Sequence, residues 1–408
     1  MSSIKSENIV LIIGNGFDKA QGLETTYREF TNYLFSIINQ EIDTILFKSY
    51  FNYSFISDSA KDYILSNPQN RKEVKTQNKS DYIQLIDQME GMNTFPRKEL
   101  IENWFKTKNI SNFLKNRFLE DLLKTSHENW FDIERFYFNQ LVKVIPDKIK
   151  QEYLGDDKIK MRDVYSEVRR LQLEFEEVKK LLREYLGLQL SNHKGTNRMQ
   201  EFFMETIPSL ISTKPSEVSY GKNSQLYIVD FNYTKTILPY IKDLTDKYSN
   251  LILTKHWTIH GDLDSKRIIF GYGDDSNEAY HKMKNIEPES LSNEFLTNIK
   301  TYQYMDNSDY AEAIGLFNHS SQSKYDVWVL GHSLGKTDKT LLKEIFNSSI
   351  CHKIRLFKRE PYTDLELASI DWPRERFNDL KYAICRIMDD DALARKKVIS
   401  YEDSVSFP

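Results

Sequence analysis

The feature that most constrains this chain is a set of short, continuous apolar runs bounded by glycine and turn residues, with one run at the start and the others after residue 220. They are Ile9–Ile13, Leu226–Asp230, Leu251–Leu253, Ile268–Phe270, Val327–Leu330 and Ile354–Phe357. A strand buried on both faces has no polar alternation, so such runs indicate parallel strands covered by helices on either side. Between about residues 40 and 220 glycine becomes rare and apolar residues recur at helical spacing. The expected fold class is therefore α/β, a Rossmann-like parallel sheet with a large all-helical insertion and a helical C-terminal cap from Asp371. The expected domains are 1–40 plus 221–408 as a discontinuous core, and 41–220 as the insertion.

Within the insertion, Val164, Val168, Leu171, Phe175, Val178, Leu182 and Tyr185 alternate in steps of four and three. This is a heptad seam, read first as a long helix packed in a bundle within the chain and, as the alternative, as a dimerising coiled coil. The segment 67–81 is polar and rich in turn residues, and reads as an exposed loop. Aromatic residues make up 13% of the chain, enough to fill a sizeable core and to exclude wholesale disorder. Net charge is −4, with 56 basic and 60 acidic residues, so no basic field exists to capture nucleic acid by charge alone. Two cysteines, Cys351 and Cys385, are too few for a disulfide framework or a four-thiolate zinc site. The opening apolar run of five residues is shorter than the core of a signal peptide, and no later run reaches the ~20 residues of a membrane helix. The expectation is a cytoplasmic protein without membrane contact.

Chemistry concentrates where apolar runs end. The first run enters Gly14-Asn15-Gly16-Phe17-Asp18, a strand-to-helix turn that either cradles a phosphate or serves as a tight connection. The second enters Asp230-Phe231-Asn232-Tyr233-Thr234, where Asn232 could orient a water or ribose hydroxyl, or satisfy turn backbone. His260 and Gly261 follow Trp257-Thr258-Ile259, and an imidazole titrates where proton transfer near neutrality needs it. A fourth turn, Gly331-His332-Ser333-Leu334-Gly335, matches the G-x-S-x-G nucleophile elbow literally. A hydrolase triad would then need His352, only nineteen residues on, which is too close for the usual order. The patch NWFDIE sets Asp132 and Glu134 two apart, on different helix faces. No histidine or cysteine cluster has metal-ligand spacing, and no metal is expected.

Taken together, IIGNGFD, GLETTYREF, NWFDIE, DFNYT, TIHGDL, IIFGYGD and LGHSLGKTD resemble the AbiH family of bacterial abortive-infection proteins, which protect against phage. The resemblance covers the first 30 residues, the NWFDIE patch and most of 225–346. AbiH proteins in turn look distantly similar to sirtuin-like domains. That second resemblance implies NAD as substrate, cleaved at its nicotinamide–ribose bond. Residue by residue, Gly14 and Gly16 match the phosphate turn, Asn232 the ribose asparagine, and His260 the base, followed by Gly261. Gly331 and Ser333 resemble the turn beside the adenine ribose; Asn15, Phe17 and His332 within these turns are expected to bind the cofactor too, and Asp18 would hold a ribose hydroxyl or Asn232. Asn15 and Thr234 depart from the sirtuin pattern, and the sirtuin zinc module is absent, which argues against protein deacylation. The implied partners are NAD or a related nucleotide, with a second copy or a partner defence protein bound through the insertion and an unidentified phage trigger. The alternatives are a nucleotide-binding sensor, or a metal-dependent nuclease built on Asp18, Asp132, Glu134 and His260.

Overall fold

A computed structural model describes residues 8–47, 54–66, 114–124, 130–145, 157–191, 193–211, 224–265, 267–272, 277–318, 323–359 and 372–408. The chain divides into two units, one of Met1–Thr25, Leu186–Lys284 and Leu296–Pro408, the other of Thr26–Tyr185 and Asn285–Phe295.

The first unit is built on β1 (Asn8–Ile13), whose six residues are all buried. It pairs in parallel with β2 (Ser224–Asp230) on one side. On the other side it pairs in parallel with the strand Tyr325–Leu330. The chain supplies β3 (Leu251–Thr258) and two short ribbon strands, β4 (Gly261–Asp262) and β5 (Arg267–Ile268), before that partner, which is therefore β6; β7 (Cys351–Leu356) follows. The five-stranded sheet runs β3-β2-β1-β6-β7 and is parallel throughout. This is the doubly wound order, in which the direction of winding reverses between β1 and β6.

Because side chains alternate across a strand, β1 feeds two cores. Ile9, Leu11 and Ile13 join Leu226, Ile228, Leu330 and Phe203 on one face. Val10 and Ile12 join Val229, Val327, Leu342 and Ile345 on the other. The helix Trp372–Ile387 lays Phe377, Ile384 and Ile387 on this second core, as the expected C-terminal cap. One expected strand is corrected. Ile268–Phe270 is not in the sheet; only Arg267–Ile268 is extended, and it pairs antiparallel with Gly261–Asp262. The chain reverses at Gly261 and Ile269 N–H closes on the His260 carbonyl at 2.7 Å, so this apolar run folds back beneath the sheet end. Ile269 and Phe270 are nevertheless buried, which is why the run is apolar.

The second unit is helical. Thr26 and Glu29 form a reciprocal capping box at the head of the helix Tyr27–Phe47, Thr26 N–H donating to Glu29 at 2.6 Å and Glu29 N–H to Thr26 Oγ1 at 3.4 Å. The heptad seam lies on the helix Asp157–Ser191. Val168, Leu171, Phe175, Val178, Leu182 and Tyr185 are buried within the chain itself. Phe175 stacks on Tyr137 with 3.9 Å between ring centroids and meets Phe118 edge-on at 5.6 Å. The segment 67–81 lies outside the described residues. Among those described, no helix is long and apolar enough to cross a membrane.

Removing the Phe175 ring should leave a cavity between Tyr137 and Phe118. We expect Phe175→Ala to cost about 3–5 kcal/mol, read by urea denaturation. A loss below about 1 kcal/mol would mean that the seam is not a packed core.

Candidate active site at the carboxyl edge of the sheet

Ile13 sits level with Asp230 on β2 and with Leu330 on β6, so three strands end in register. The turns that follow them therefore meet at one edge, at the winding reversal, where open α/β sheets bind ligands. The turn after β1 and the turn after β6 are packed backbone to backbone. Gly16 N–H donates to the Gly331 carbonyl at 2.8 Å, and Gly14 N–H to Leu330 at 3.2 Å. Gly331 has φ 71°, and a Cβ placed there would lie 2.1 Å from the Phe17 nitrogen. A Cβ on Gly16 would meet the Gly331 carbonyl oxygen at 2.7 Å. Close backbone approach thus explains these glycines without invoking any ligand.

Asn232 caps this edge. Its Nδ2 donates to the Gly14 carbonyl at 3.1 Å, and its own N–H is held by Asp230 Oδ1 at 2.9 Å. Asp230 Oδ2 in turn faces His256 Nε2 at 3.0 Å. Beneath lies Asp18, only 2% exposed, from the helix Asn15–Ala20. Thr234 and Thr236 donate their hydroxyls to its two oxygens at 2.7 and 2.5 Å, and Asn232 is also within hydrogen-bonding reach. Gln21 donates to Thr236 Oγ1 at 2.9 Å, and its carbonyl oxygen meets His193 at 3.0 Å. Burial dominates over these bonds and pushes the Asp18 carboxyl up to about 7, with the nearby Asp230 adding to the rise.

The opposite wall holds His260, two residues beyond β3. Its Nδ1 lies 3.0 Å from the Phe231 carbonyl, which can only accept, so this contact is a hydrogen bond in the tautomer that carries its proton on Nδ1. Its Nε2 has two neighbours at 3.0 Å, Tyr304 Oη and Asp338 Oδ1. Lys300 Nζ approaches the same Asp338 oxygen at 3.5 Å, and His332 Nε2 approaches Asp338 Oδ2 at 3.5 Å. His332 Nδ1 accepts from Leu334 N–H at 2.9 Å, so its ring presents the Nε2 proton to Asp338. Burial opposes ionisation of Asp338, but Lys300 and then His260 outweigh it and hold the carboxyl well below its usual range. Burial, joined by the Lys300 charge, pushes His260 below the ordinary imidazole value against the pull of Asp338. At neutral pH the arrangement is an ionised Asp338 and Lys300 beside a neutral His260. A neutral ring can serve only one of its two acceptors, and the imidazolium serves both, so the site is arranged to receive a proton on Nε2.

The residues singled out from the sequence fall together here. Gly14, Asn15, Gly16, Phe17 and Asp18 follow β1; Asn232 follows β2; His260 and Gly261 follow β3; Gly331, His332 and Ser333 follow β6. Ser333, in the nucleophile's place of the apparent elbow, is exposed, and the positive φ falls instead on Leu334 at 57°. Asn15 ties the turn to the next segment through Nδ2 and the Thr25 carbonyl at 3.0 Å. Asp132 lies in the helix Trp130–Val144, with its side chain outside the described residues; Glu134 on that helix is buried. Among the described residues no group of three or more His, Cys, Asp or Glu side chains could hold a metal ion. Sequence reasoning missed Lys300 and Tyr304, which come from a six-residue helix, Lys300–Met305, with no motif around it. It also missed Thr236, although the T-x-T spacing after DFNY was a readable signal.

Fold and site together define a doubly wound α/β protein with a titratable cluster at its switch point. The chain belongs to the bacteriophage abortive infection AbiH family, whose model matches residues 10–358. Membership places it among bacterial proteins that act against phage by abortive infection. No curated protein matches the chain.

The raised Asp18 value makes stability depend on pH in a definite direction. Between about 4 and 7 the unfolded chain releases this proton while the folded chain keeps it, so Asp18 destabilises the fold as pH rises through that window. Asp18→Asn should therefore gain stability over wild type progressively from pH 4 to 7 and no further above it. The gain approaches roughly 4 kcal/mol at ~1.4 kcal/mol per unit. Denaturant melts at pH 4, 5.5, 7 and 8 test this, and a difference independent of pH would contradict it.

Proposed function

We propose that this chain binds NAD at the switch-point crevice and hydrolyses its nicotinamide–ribose bond. The observation that carries the reading is the meeting of the Gly14–Asp18 turn, Asn232 and His260 at the carboxyl ends of neighbouring parallel strands, the arrangement that the sirtuin-like resemblance requires. In this reading Gly14, Asn15, Gly16 and Phe17 form the wall beside the phosphates. Gly331, His332 and Ser333 meet the adenine ribose, and Gly261 opens the backbone beside His260.

The chemistry asks little of the leaving group, because nicotinamide departs as a neutral molecule from a cationic precursor. The C1′–N bond breaks and its electron pair leaves with nicotinamide. A water oxygen bonds to C1′, and its surplus proton goes to the protein. Asn232 orients the ribose or the water; its backbone is fixed by Asp230 and its side chain by the Gly14 carbonyl. His260 accepts the proton. Its Nδ1–H is anchored on Phe231, so Nε2 is the basic atom. Asp338 then finds an imidazolium partner at 3.0 Å, which stabilises the charge as it forms. Asp18 accepts from Thr234 and Thr236 and through them holds the loop that carries Asn232.

General-base catalysis contributes ~10²–10⁴-fold. His260→Ala should lose kcat by that factor, measured as nicotinamide released from NAD, while NAD binding persists by calorimetry. Wild-type turnover in the variant would remove His260 from the mechanism.

A further inference from the structure

We infer that the Tyr304 hydroxyl is the group through which His260 exchanges its proton with whatever occupies the crevice; this rests on the reading of His260 as base. His260 is largely enclosed. Nδ1 lies against the Phe231 carbonyl, the side chain is 9% exposed, and Nε2 is flanked at 3.0 Å by Tyr304 Oη and Asp338 Oδ1. Of those two neighbours only Tyr304 carries a proton it can pass on. Asp338 is ionised, pinned by Lys300 and His332, and can accept but not supply. With its proton on Nδ1 facing Phe231, a neutral His260 takes its hydrogen bond at Nε2 from the tyrosine.

The delivery of Tyr304 is specific. Lys300 and Tyr304 stand four apart on the helix Lys300–Met305, and so share one face. That face sets an ammonium 3.5 Å from Asp338 Oδ1 and a hydroxyl 3.0 Å from His260 Nε2. The Tyr304 ring lies nearly parallel to His260, at 15°, and stacks on Tyr310 with 4.4 Å between centroids, which restricts rotation of the phenol. A tyrosine needed only to fill space would not require its hydroxyl on a titrating nitrogen.

The step balances without any further reagent. Tyr304 O–H breaks as His260 Nε2–H forms, while the attacking water gives its proton to the Tyr304 oxygen. Tyrosine ends as it began, and the net change is one proton moved from water to His260. Protonated Nε2 then donates to Asp338, so the same motion completes the ion pair. Tyr304 is the catalytic group in this exchange, and Lys300 and Asp338 are positioning residues.

The test uses the full chain and Tyr304→Phe, which removes one oxygen and keeps the ring. Two readouts are taken: NAD turnover, and the imidazole ¹⁵N resonances of His260 across pH 5–9. Tyr304→Phe should leave KM for NAD within about twofold, lower kcat about a hundredfold, and shift the Nε2 resonance but not Nδ1. Wild-type kcat in the variant overturns the inference. If wild type itself leaves NAD intact, the NAD reading fails and the ¹⁵N readout decides alone. An Nε2 resonance unmoved by Tyr304→Phe then overturns the proton path, and a shifted one upholds it for another ligand. Should Tyr304→Phe fail to fold, fluorotyrosine incorporated into the wild-type chain replaces it. Lowering the phenol pKa must then shift the Nε2 resonance, and no shift overturns the inference.

Discussion

The contact on which the crevice depends is the backbone crossing of Gly16 and Gly331. It joins the turn after β1 to the turn after β6 through the 2.8 Å bond from Gly16 N–H to the Gly331 carbonyl. Both positions tolerate no Cβ. Strand register brings β1, β2 and β6 to the same level, but register alone would leave two turns splayed at the winding reversal. The crossing closes them together. It thereby brings Asn232, which holds the Gly14 carbonyl, and His332, whose Nε2 lies 3.5 Å from Asp338 Oδ2, to one edge. A glycine turn at a strand end is commonly read as a phosphate cradle. Here the first demand on the glycines is that two pieces of main chain touch, and any ligand must approach a surface already formed by that contact.

Around this edge the protein keeps several ionisable groups from water in two different ways. Asp18 accepts from two threonine hydroxyls, and burial pushes its carboxyl up to about 7. Asp338 is balanced by a buried ammonium and two imidazoles and stays charged. One carboxyl is pushed up by burial against the pull of its hydroxyl partners, and the other is held ionised by an ammonium and by imidazole contacts. Environments that push two carboxyls apart in this way are what acid–base chemistry requires. The ionised member is the one that faces the histidine.

Much of this was legible in the sequence, and the reasons for the rest are physical. Ile9–Ile13 and Val327–Leu330 read correctly because a strand covered on both faces must be apolar at every position. Ile268–Phe270 misled because it satisfies the same rule by a different route. It is buried as the return leg of a hairpin, and burial alone does not distinguish pairing in the sheet from packing beneath it. The β-strand carrying His256 and Trp257 read as three residues, Leu251–Leu253, because Thr254 and Lys255 follow as consecutive exposed polar residues where the pairing register with β2 shifts. Asn232 and His260 were visible as polar residues where apolar runs end. Lys300 and Tyr304 were invisible, since they reach the site from a short helix more than forty residues beyond His260 at Tyr304, with no periodicity or turn to mark it. The heptad seam could not announce its partner. Phe175 meets Tyr137 and Phe118 within the chain, and spacing says only that a partner exists.

In the reaction proposed for this crevice, water attacks C1′ of the nicotinamide ribose. Incubating the purified chain with NAD in ¹⁸O-water and analysing the products by mass spectrometry tests this. Nicotinamide and ADP-ribose should form, with one ¹⁸O in the ribose C1′ hydroxyl and none in the phosphates. Intact NAD, or label incorporated at phosphorus, would contradict it.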